Sequence, residues 1–277
     1  MLKSMFMMLM FIVAWAYPSP GPAEGDSASV DTLNRPLPFH DGEKLTFRLR
    51  YGFITAGKAV MEVHKTVFRD SISVYRFRTS AKSASGFDWI YKVRDEVNSY
   101  VVPGGFYPLR FEKKLREGNY KADLLTDYFP KDSLARVEET RYHNNMRVRS
   151  RKKYEVTVPP HAQDVLSSFY YVRLLSLEPG KSQYLVNHEK KKVYNLRVVV
   201  HKRETIEVEA GTFRCIVVEP MIEGEGLFKK KGSLKIWLTD DRLRLPVQMT
   251  SKIIVGHITS ELIKIEGVPL PVPARVK

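Results

Sequence analysis

A period-two alternation of apolar and polar residues is the feature that most constrains what this chain can fold into. Between residues 44 and 51, apolar side chains take every second position and polar or basic side chains take the others. Successive side chains of a strand point to opposite faces, so this segment is predicted to be a strand with one dry and one wet face. Residues 59–63 repeat the pattern, and Thr55-Ala56-Gly57 is predicted to be the turn of a hairpin.

The same alternation recurs nearly to the end of the chain. Further strands are predicted over residues 73–81, 93–102, 109–116, 120–128, 135–142, 148–158, 183–186, 193–201, 205–208, 213–221, 233–239, 247–254 and 258–265. Short strands at regular spacing, joined by short polar turns, are typical of antiparallel sheets. The sequence therefore predicts a mainly β chain with one large antiparallel sheet, which forms a sandwich or a half-open barrel.

One segment, residues 164–177, has helical periodicity instead. Its apolar residues recur at intervals of three and four, Asp164 can cap the first turn, and Pro179-Gly180 ends the segment. It is predicted to be the only substantial helix. An amphipathic helix must bury its apolar stripe, so we expect it to cover an open face of the sheet or to plug the mouth of a barrel.

The first 16 residues have the pattern of a secretory signal. Lys3 precedes an unbroken apolar run, and small residues at Ala14 and Ala16 predict cleavage after Ala16. The run is shorter than the about 20 residues that a membrane-spanning helix needs. No cysteine directly follows the run, so a lipid anchor is not expected. The protein is predicted to be periplasmic or secreted.

Composition divides the remaining chain into three parts. Residues 17–38 are rich in Pro, Ser, Gly and Asp and are predicted to form a disordered leader. Residues 39–266 are predicted to form a single antiparallel β domain. Residues 267–277 form a Pro-rich tail, which is predicted to be extended and weakly ordered.

The charge of the chain indicates which partners to consider. The sequence has 45 Lys and Arg against 31 Asp and Glu, a formal net charge of +14. An exported protein meets little nucleic acid, so nucleic acid is not expected as a partner. Anionic lipid, lipopolysaccharide and acidic glycan are the expected polyanions, and peripheral contact with a membrane is an open alternative. A generally basic surface without a dedicated site is the other interpretation.

The motifs of common enzymes and metal sites are missing from the sequence. The seven histidines have no metal-ligand spacing, no glycine-rich phosphate loop occurs, and no cofactor is predicted. Ser167 and Ser168 lack a nucleophile elbow, so Asp164 beside them is interpreted as a helix cap. The single cysteine, Cys215, is in phase with core-facing neighbours and is interpreted as a buried, inert thiol.

Carboxylates are the remaining catalytic candidates. The neighbouring acids Asp95 and Glu96, Asp240 and Asp241, and Glu223 and Glu225 can each seed a glycosidase pair, which is defined by a spatial separation. A polar turn is the simpler interpretation of Asp240-Asp241. No catalytic residue is predicted.

Three basic clusters fall at or beside predicted turns. They cover residues 147–153, 190–192 and 229–231. If these turns share one end of a barrel, they form a cationic rim for anionic headgroups, and the candidate rim residues are Arg149, Arg151, Lys191 and Lys230. The alternative is that they are solvated turns or guards on edge strands.

Aromatic residues provide the other candidate contacts. Phe87, Trp89 and Tyr91 lie in a break between two predicted strands, where they form a lip over an apolar cavity or a plug in the core. Tyr170 and Arg173 on the predicted helix complete the candidate ligand residues. For Arg173, a helix-end charge or an ion pair is the structural alternative.

Several short motifs occur along the chain, at residues 39–45, 51–57, 86–88 with Asp95, 164–173, 211–213, 232–237, Asp241 and 244–247. Their order and spacing resemble those of the domain of unknown function 3108 family, over nearly the whole mature chain. The resemblance implies an exported envelope protein of Gram-negative bacteria with an antiparallel β fold, and it supplies no catalytic residue. The architecture also looks like the half-open barrels of lipoprotein localisation carriers, which hold acyl chains in an apolar cavity.

These features together predict a non-catalytic periplasmic protein that binds an amphiphilic or anionic envelope component, such as a lipid or lipopolysaccharide. Two alternatives stay open. One is an enzyme acting on envelope glycans. The other is a scaffold that docks another envelope protein through a sheet edge, with the Pro-rich tail as a tether.

Overall fold

The computed structural model describes residues 36–222, 234–252 and 256–277, and it contains a single sheet of 14 antiparallel strands. The strands are β1 Lys44–Tyr51, β2 Ile54–Phe68, β3 Ile72–Ser83, β4 Arg94–Val102, β5 Tyr107–Glu117, β6 Tyr120–Phe129, β7 Leu134–Tyr142, β8 Val148–Thr157, β9 Ser182–Glu189, β10 Lys192–Val208, β11 Gly211–Ile222, β12 Leu234–Thr239, β13 Pro246–Lys252 and β14 His257–Glu266. The helices in these residues are α1 Ser85–Tyr91 and α2 Val165–Val172, with a 3₁₀ turn at Pro130–Asp132.

The order of the strands follows the chain in two runs. Strands β1 to β8 pair in sequence, strands β9 to β14 pair in sequence, and β1 pairs with β14 to join the two runs. The edges of the sheet are β8 and β9. The prediction of a mainly β chain with a large antiparallel sheet is confirmed, and burial has the expected period: Leu45, Phe47 and Leu49 of β1 are fully buried and the residues between them are not.

The sheet curls until its two edges approach each other, which is the geometry of a half-open barrel. The ammonium of Lys190, beside β9, lies 2.9 Å from a carboxylate oxygen of Glu139 on β7. After β8 the chain crosses to the other edge, where the Gln163 N–H donates to the Val186 carbonyl at 2.8 Å. The His188 N–H donates back to the Gln163 carbonyl at the same distance. The segment between β8 and β9 therefore joins the two edges of the sheet through its own hydrogen bonds.

The curled sheet has two ends. The α1 end carries α1 and the turns after β1, β5, β7 and β9, and it is tied together by bonds such as Gly118 N–H to the Lys92 carbonyl at 2.8 Å. The tail end carries the turns after β2, β4, β6, β10 and β12, together with the C-terminal residues. None of the described helices is long and apolar enough to cross a membrane.

Helix α2 lies inside the curl toward the tail end. Asp164 caps it: one carboxylate oxygen accepts from the N–H groups of Leu166 and Ser167, and Ser167 Oγ accepts in return from the Asp164 N–H. The other oxygen accepts from Ser99 Oγ on β4 at 2.5 Å, which fixes the helix to the sheet. The predicted cap is thus confirmed.

The helix is shorter than predicted. It ends at Val172 rather than Leu177, because the N–H groups of Arg173, Leu174 and Leu175 bond to carbonyls three residues back. Bonds of that spacing tighten the last turn and stop the α-helix. The break at residues 85–91 also forms a short helix, α1, which the sequence did not predict.

Two predictions about strands are wrong in detail. The hairpin between β1 and β2 exists, but its turn is Gly52-Phe53, and Thr55 to Gly57 lie inside β2. The segments 193–201 and 205–208 are one strand, β10, whose register shifts between Val200 and Arg203. The polar residues that separate the two segments mark this bulge.

Both ends of the predicted domain extend further than the composition suggests. Pro38 is buried, and its carbonyl accepts from Arg173 at 3.1 Å. The Pro-rich tail does not project from the domain: Val272 and Ala274 are buried, and the Val276 N–H donates to the Thr212 carbonyl of β11 at 2.8 Å. The predicted signal and most of the predicted leader lie outside the described residues.

Candidate ligand-binding cavity

An apolar cavity lies between α2 and the inner face of the curled sheet. Its volume is about 120 Å³. The wall is made by residues of nine strands and by one side of α2, and its side chains are mainly Leu, Val, Ile, Phe and Met. The lining residues are Phe47, Leu49, Ala59, Met61, Thr79, Ala81, Val165, Leu166, Ser168, Phe169, Val172, Asn187, Tyr194, Leu196, Val198, Val218, Pro220, Leu234, Ile236, Leu238, Met249 and Ser260.

Small side chains in adjacent strands leave the space. Ala59 on β2 stands directly opposite Ala81 on β3, and Phe47 on β1 is opposite Ala59 on its other side. Two neighbouring methyl groups on an inward face leave room that Leu or Phe would fill. The cavity therefore exists because Ala59 and Ala81 are paired across β2 and β3.

Helix α2 presents different residues to the cavity and to the core. Leu166, Phe169 and Val172 line the cavity, whereas Tyr170 faces the other way and stacks on Phe77 of β3 with ring centroids 3.8 Å apart. The apolar stripe of α2 thus forms one wall of the space, and Tyr170 anchors the helix to the sheet.

A few polar groups interrupt the apolar wall. Ser168 Oγ donates to the Val165 carbonyl at 2.9 Å, so it can only accept from Asn187 Nδ2, which lies 3.3 Å away. This fixes the orientation of the Asn187 amide, whose oxygen has no hydrogen-bond partner among the described residues. The hydroxyls of Thr79 and Ser260 are unpartnered in the same way.

The cavity extends toward the α1 end. Tyr194 is two residues from the start of β10, Pro220 is two residues from the end of β11, and Leu234 is the first residue of β12. The β9–β10 turn at this end carries Lys190 and Lys191. Basic side chains therefore stand beyond the end of an apolar space.

Arg173 and Tyr170, both candidates from the sequence, belong to the core and do not line the cavity. The Arg173 guanidinium makes two bonds to the Glu43 carboxylate and also donates to the carbonyls of Pro38 and Leu243. Burial raises the pKa of Tyr170 far above its usual value. The structural alternative for Arg173, an ion pair, is the arrangement found.

The aromatic candidates on α1 divide into two groups. Phe87 and Tyr91 are buried against the sheet and plug the core, whereas Trp89 is 82% exposed. Asp88 on the same helix accepts from Arg94 Nη2 at 2.6 Å, and this bond is the main reason why the pKa of Asp88 falls to about 2. The ion pair holds α1 against β4 and leaves Trp89 outward.

The structure brings two of the three basic clusters to the α1 end. Lys191 lies over the ring of Tyr154 on β8 at 5.0 Å, and Lys190 pairs with Glu139 on β7. Arg149 and Arg151 are exposed on the edge strand β8, and Arg151 pairs with Glu138 at 3.1 Å. Lys230 and its cluster lie outside the described residues.

An acidic pair that the sequence did not suggest is buried at the α1 end of β4 and β5. Asp95 on β4 and Glu117 on β5 are 4% and 1% exposed, and the Arg116 N–H donates to Asp95 at 2.7 Å. Burial, and then the neighbouring Asp95, raise the pKa of Glu117 to about 8. Burial also raises the pKa of Asp95. The pair therefore holds a proton to a higher pH than two separate exposed carboxyls would, and the two carboxyls can share it.

The carboxylate pairs named from the sequence hold structural positions where they are described. Glu96 points away from Asp95 and bonds Arg78 at 2.7 Å. Asp240 pairs with Arg203 and Arg244, and Asp241 accepts from the N–H groups of the following turn, as predicted. Glu223 and Glu225 lie outside the described residues.

Two further titratable groups in the described part of the chain are buried. Cys215 is buried as predicted, and burial raises the pKa of its thiol to about 12. Burial raises the pKa of the capping Asp164 to about 6. No group of three potential metal ligands occurs among the described residues.

Sequence reasoning missed the lining of the cavity. Its residues are ordinary core types, so composition does not mark them, and the cavity depends on which of them oppose each other across strands. The signal available in the sequence was the recurrence of alanine at inward positions of β2 and β3, where the neighbouring strands carry large residues.

A family model and one β-barrel-like structure match this chain. The model of the family described as protein of unknown function DUF3108 matches residues 46–263. A β-barrel-like protein of the DUF1849 domain of unknown function from Brucella abortus matches with a TM-score of 0.52 at 11% identity, covering 81% of this chain and 97% of that chain. A Bacteroides fragilis protein, described as exported and with a YmcC-like fold, matches with a TM-score of 0.35 at 12% identity, covering 83% and 97%. No curated protein matches the sequence.

Proposed function

The chain belongs to the DUF3108 family, and because that family is described without a function, we propose from the cavity that the protein binds an amphiphile of the cell envelope. The apolar end of the ligand lies between α2 and the sheet. The observation that carries this proposal is an apolar space walled by residues such as Leu49, Phe169 and Leu238. Sites for small molecules are commonly apolar with few polar groups, and this cavity has that composition.

The size of the cavity sets what it admits in the described conformation. Its volume of about 120 Å³ is close to the roughly 150 Å³ of an engineered apolar cavity that binds benzene. The last few carbons of an acyl chain are of that size. Met61 and Met249 line the space, and flexible methionines repack more readily than branched residues around a longer chain.

The charges near the α1 end favour an anionic headgroup. The cavity extends toward this end, where the β9–β10 turn places Lys190 and Lys191. An anionic lipid or lipopolysaccharide has both the apolar chain and the negative head that this arrangement fits. An acidic glycan lacks the chain and fits less well.

The proposed role is non-catalytic and periplasmic. None of the described residues that line the cavity is a carboxylate, whereas hydrolysis of a glycoside needs two carboxyls facing each other across a groove. The assignment to the periplasm depends on the signal pattern of residues 1–16.

Native mass spectrometry of protein purified from its own envelope tests the proposal directly. We expect an adduct with the mass of a lipid. In vitro, the fluorescence of cis-parinaric acid should rise on binding and fall when a saturated fatty acid displaces it. Ala81→Phe fills the cavity and should reduce the affinity about tenfold or more, whereas Val67→Phe, at an exposed site away from the cavity, should not.

Circular dichroism controls for folding of both variants. The proposal is wrong if the folded protein carries no adduct and binds no probe. It is also wrong if Ala81→Phe, while folded, binds the probe as the native protein does.

A further inference from the structure

The two most exposed large apolar side chains of the described residues lie at the same end of the sheet. Phe53 in the β1–β2 turn is 97% exposed and Trp89 on α1 is 82% exposed. The exposed Ile54 and Ile90 stand beside them in sequence. The Ala84 N–H, just before α1, donates to the Ala56 carbonyl of β2 at 2.9 Å, so the segments that carry the two aromatics are bonded together.

Both aromatics are held outward by rigid elements. Phe87 and Tyr91 take the buried face of α1, and the Asp88–Arg94 ion pair fixes the helix to β4, so Trp89 has no inward position available. Phe53 is the second residue of the two-residue turn that Gly52 begins. An apolar surface on fixed supports, outside the core, marks a binding surface rather than a loose part of the fold.

A row of four basic residues crosses the sheet just below this end. Arg48, Lys58, Lys82 and Arg94 occupy opposite positions on β1, β2, β3 and β4. Arg48 pairs with Glu209 and Arg94 with Asp88. In the described part of the chain, Lys58 and Lys82 are exposed and have no carboxylate partner.

Two lysines directly opposite each other in a sheet repel, which is unfavourable unless an anion lies between or above them. The exposed Lys92, after α1, adds a third positive charge at this end. The repulsion between the lysines and the exposure of apolar side chains to water are therefore two unfavourable features at the same end of the sheet. A negatively charged partner with an apolar layer for the aromatic side chains would offset both of these unfavourable features.

We propose that the α1 end is a docking surface for an anionic phospholipid bilayer. Phe53 and Trp89 enter the boundary between headgroups and acyl chains, and Lys58 and Lys82 contact the lipid phosphates. Trp is enriched at membrane interfaces, and lysine near an anionic surface contributes favourably. Protein–protein interfaces are depleted of lysine, so the pair of lysines favours a lipid partner over a protein.

Docking at this end is independent of the proposed ligand, and it would also bring the cavity near the membrane. The cavity extends toward the same end through Tyr194, Pro220 and Leu234. An amphiphile leaving a bilayer would then enter without crossing bulk water. Docking and ligand binding use different residues, so variants can separate them.

Co-sedimentation of the exported protein with vesicles tests the inference. Vesicles of phosphatidylcholine with about one quarter phosphatidylglycerol should bind the protein, pure phosphatidylcholine should bind it less, and about 0.5 M NaCl should weaken the binding. The double variant Phe53→Ser with Trp89→Ser should lose about tenfold or more of the affinity. The matched control is Val67→Ser with Ile72→Ser, which removes exposed apolar residues at the tail end.

Charge is tested separately. Lys58→Gln and Lys82→Gln should each reduce binding about fivefold, whereas Lys131→Gln, at an exposed site of the tail end, should leave it unchanged. In a Trp237→Phe background, the emission of Trp89 should shift to the blue on binding, because its indole leaves water.

Three results would each overturn the inference: no binding to anionic vesicles, equal loss in the tail-end control, or unchanged Trp89 emission with bound vesicles. The docking variants should still take up cis-parinaric acid. Loss of probe binding in Ala81→Phe alone would concern the cavity and leave the docking surface standing.

Discussion

Arg173 at the end of α2 and Glu43 before β1 form a bidentate ion pair in the core, with Nη1–Oε1 and Nη2–Oε2 distances of 2.6 and 2.9 Å. Both side chains are essentially inaccessible to water. The pair connects the helix to the strand at which the two runs of the sheet meet. Together with the bonds from Arg173 to the carbonyls of Pro38 and Leu243, it fixes α2 at the tail end.

Breaking this pair should destabilise the protein strongly. Arg173→Met leaves the Glu43 carboxylate buried without a partner. Glu43→Leu leaves the buried guanidinium without its counter-charge, bonded only to the carbonyls of Pro38 and Leu243. Each variant should therefore lower the free energy of unfolding by about 3–5 kcal/mol. The double variant should lose less than the sum of the two. Urea unfolding of the four proteins measures the coupling, and additive losses would show that the pair does not act as a unit.

The stability should fall as the pH rises from about 5 to about 8, because of Glu117. Its pKa is raised to about 8 in the folded protein from an ordinary 4.5, so the folded state holds a proton that the unfolded state has released over this range. The contribution is fully present below pH 4.5 and is lost as the pH passes 8. Urea unfolding at a series of pH values measures the slope.

Glu117→Gln should flatten that slope and should be more stable than the native protein at pH 8. Glu96→Gln is the control on the neighbouring strand, since the hydrogen bond from Arg78 lowers the pKa of Glu96 and its loss should cost stability at neutral pH. An unchanged slope in Glu117→Gln would mean that another group carries the pH dependence.

Removing the cap of α2 should destabilise the helix and its attachment to the sheet. Asp164→Ala loses the bonds to two N–H groups and leaves Ser99 Oγ without its acceptor, so a loss of about 2–4 kcal/mol in the free energy of unfolding is expected. Asp164→Asn keeps an acceptor at the cap and should lose less. Equal losses in thermal or urea unfolding would contradict the role assigned to the cap.

Deleting residues 268–277 should destabilise the domain by about 3 kcal/mol, because Val272 and Ala274 are buried and Ala274 N–H donates to Asp241 at 2.9 Å. Thermal unfolding of the truncated protein measures the effect. The alternative function of the tail as a tether predicts unchanged stability and loss of a captured partner, so the two interpretations give opposite results.

The sequence predicted the fold better than the site, and the reason is physical. The alternation at positions such as Leu45, Phe47 and Leu49 depends on one strand and its buried face. The strand can therefore be predicted from a short stretch of sequence. The cap at Asp164 and the burial of Cys215 are local in the same sense. Tyr170 and Arg173 were proposed as ligand contacts because their chemistry suits binding, yet α2 turns both into the core.

The cavity could not be predicted because it depends on pairs across strands. Ala59 and Ala81 become a wall only when β2 and β3 pair in this register, and α2 reaches them from a distant part of the chain. The burial of Asp95 beside Glu117 also depends on how the strands pair. The position of Phe53 beside α1 likewise depends on the turn at Gly52, which the sequence placed a few residues later.

The topology of the sheet also has a kinetic consequence. Among the described strands, every ladder except that between β1 and β14 joins neighbours in the chain, so each run can form from local hairpins. Formation of the β1–β14 ladder must close a loop of about two hundred residues. The chain entropy that is lost on closing so long a loop makes this step slow. We expect refolding to show a fast formation of strands followed by a slower step that unites the two runs around α2, and substitutions at the β1–β14 contact to slow that second step alone.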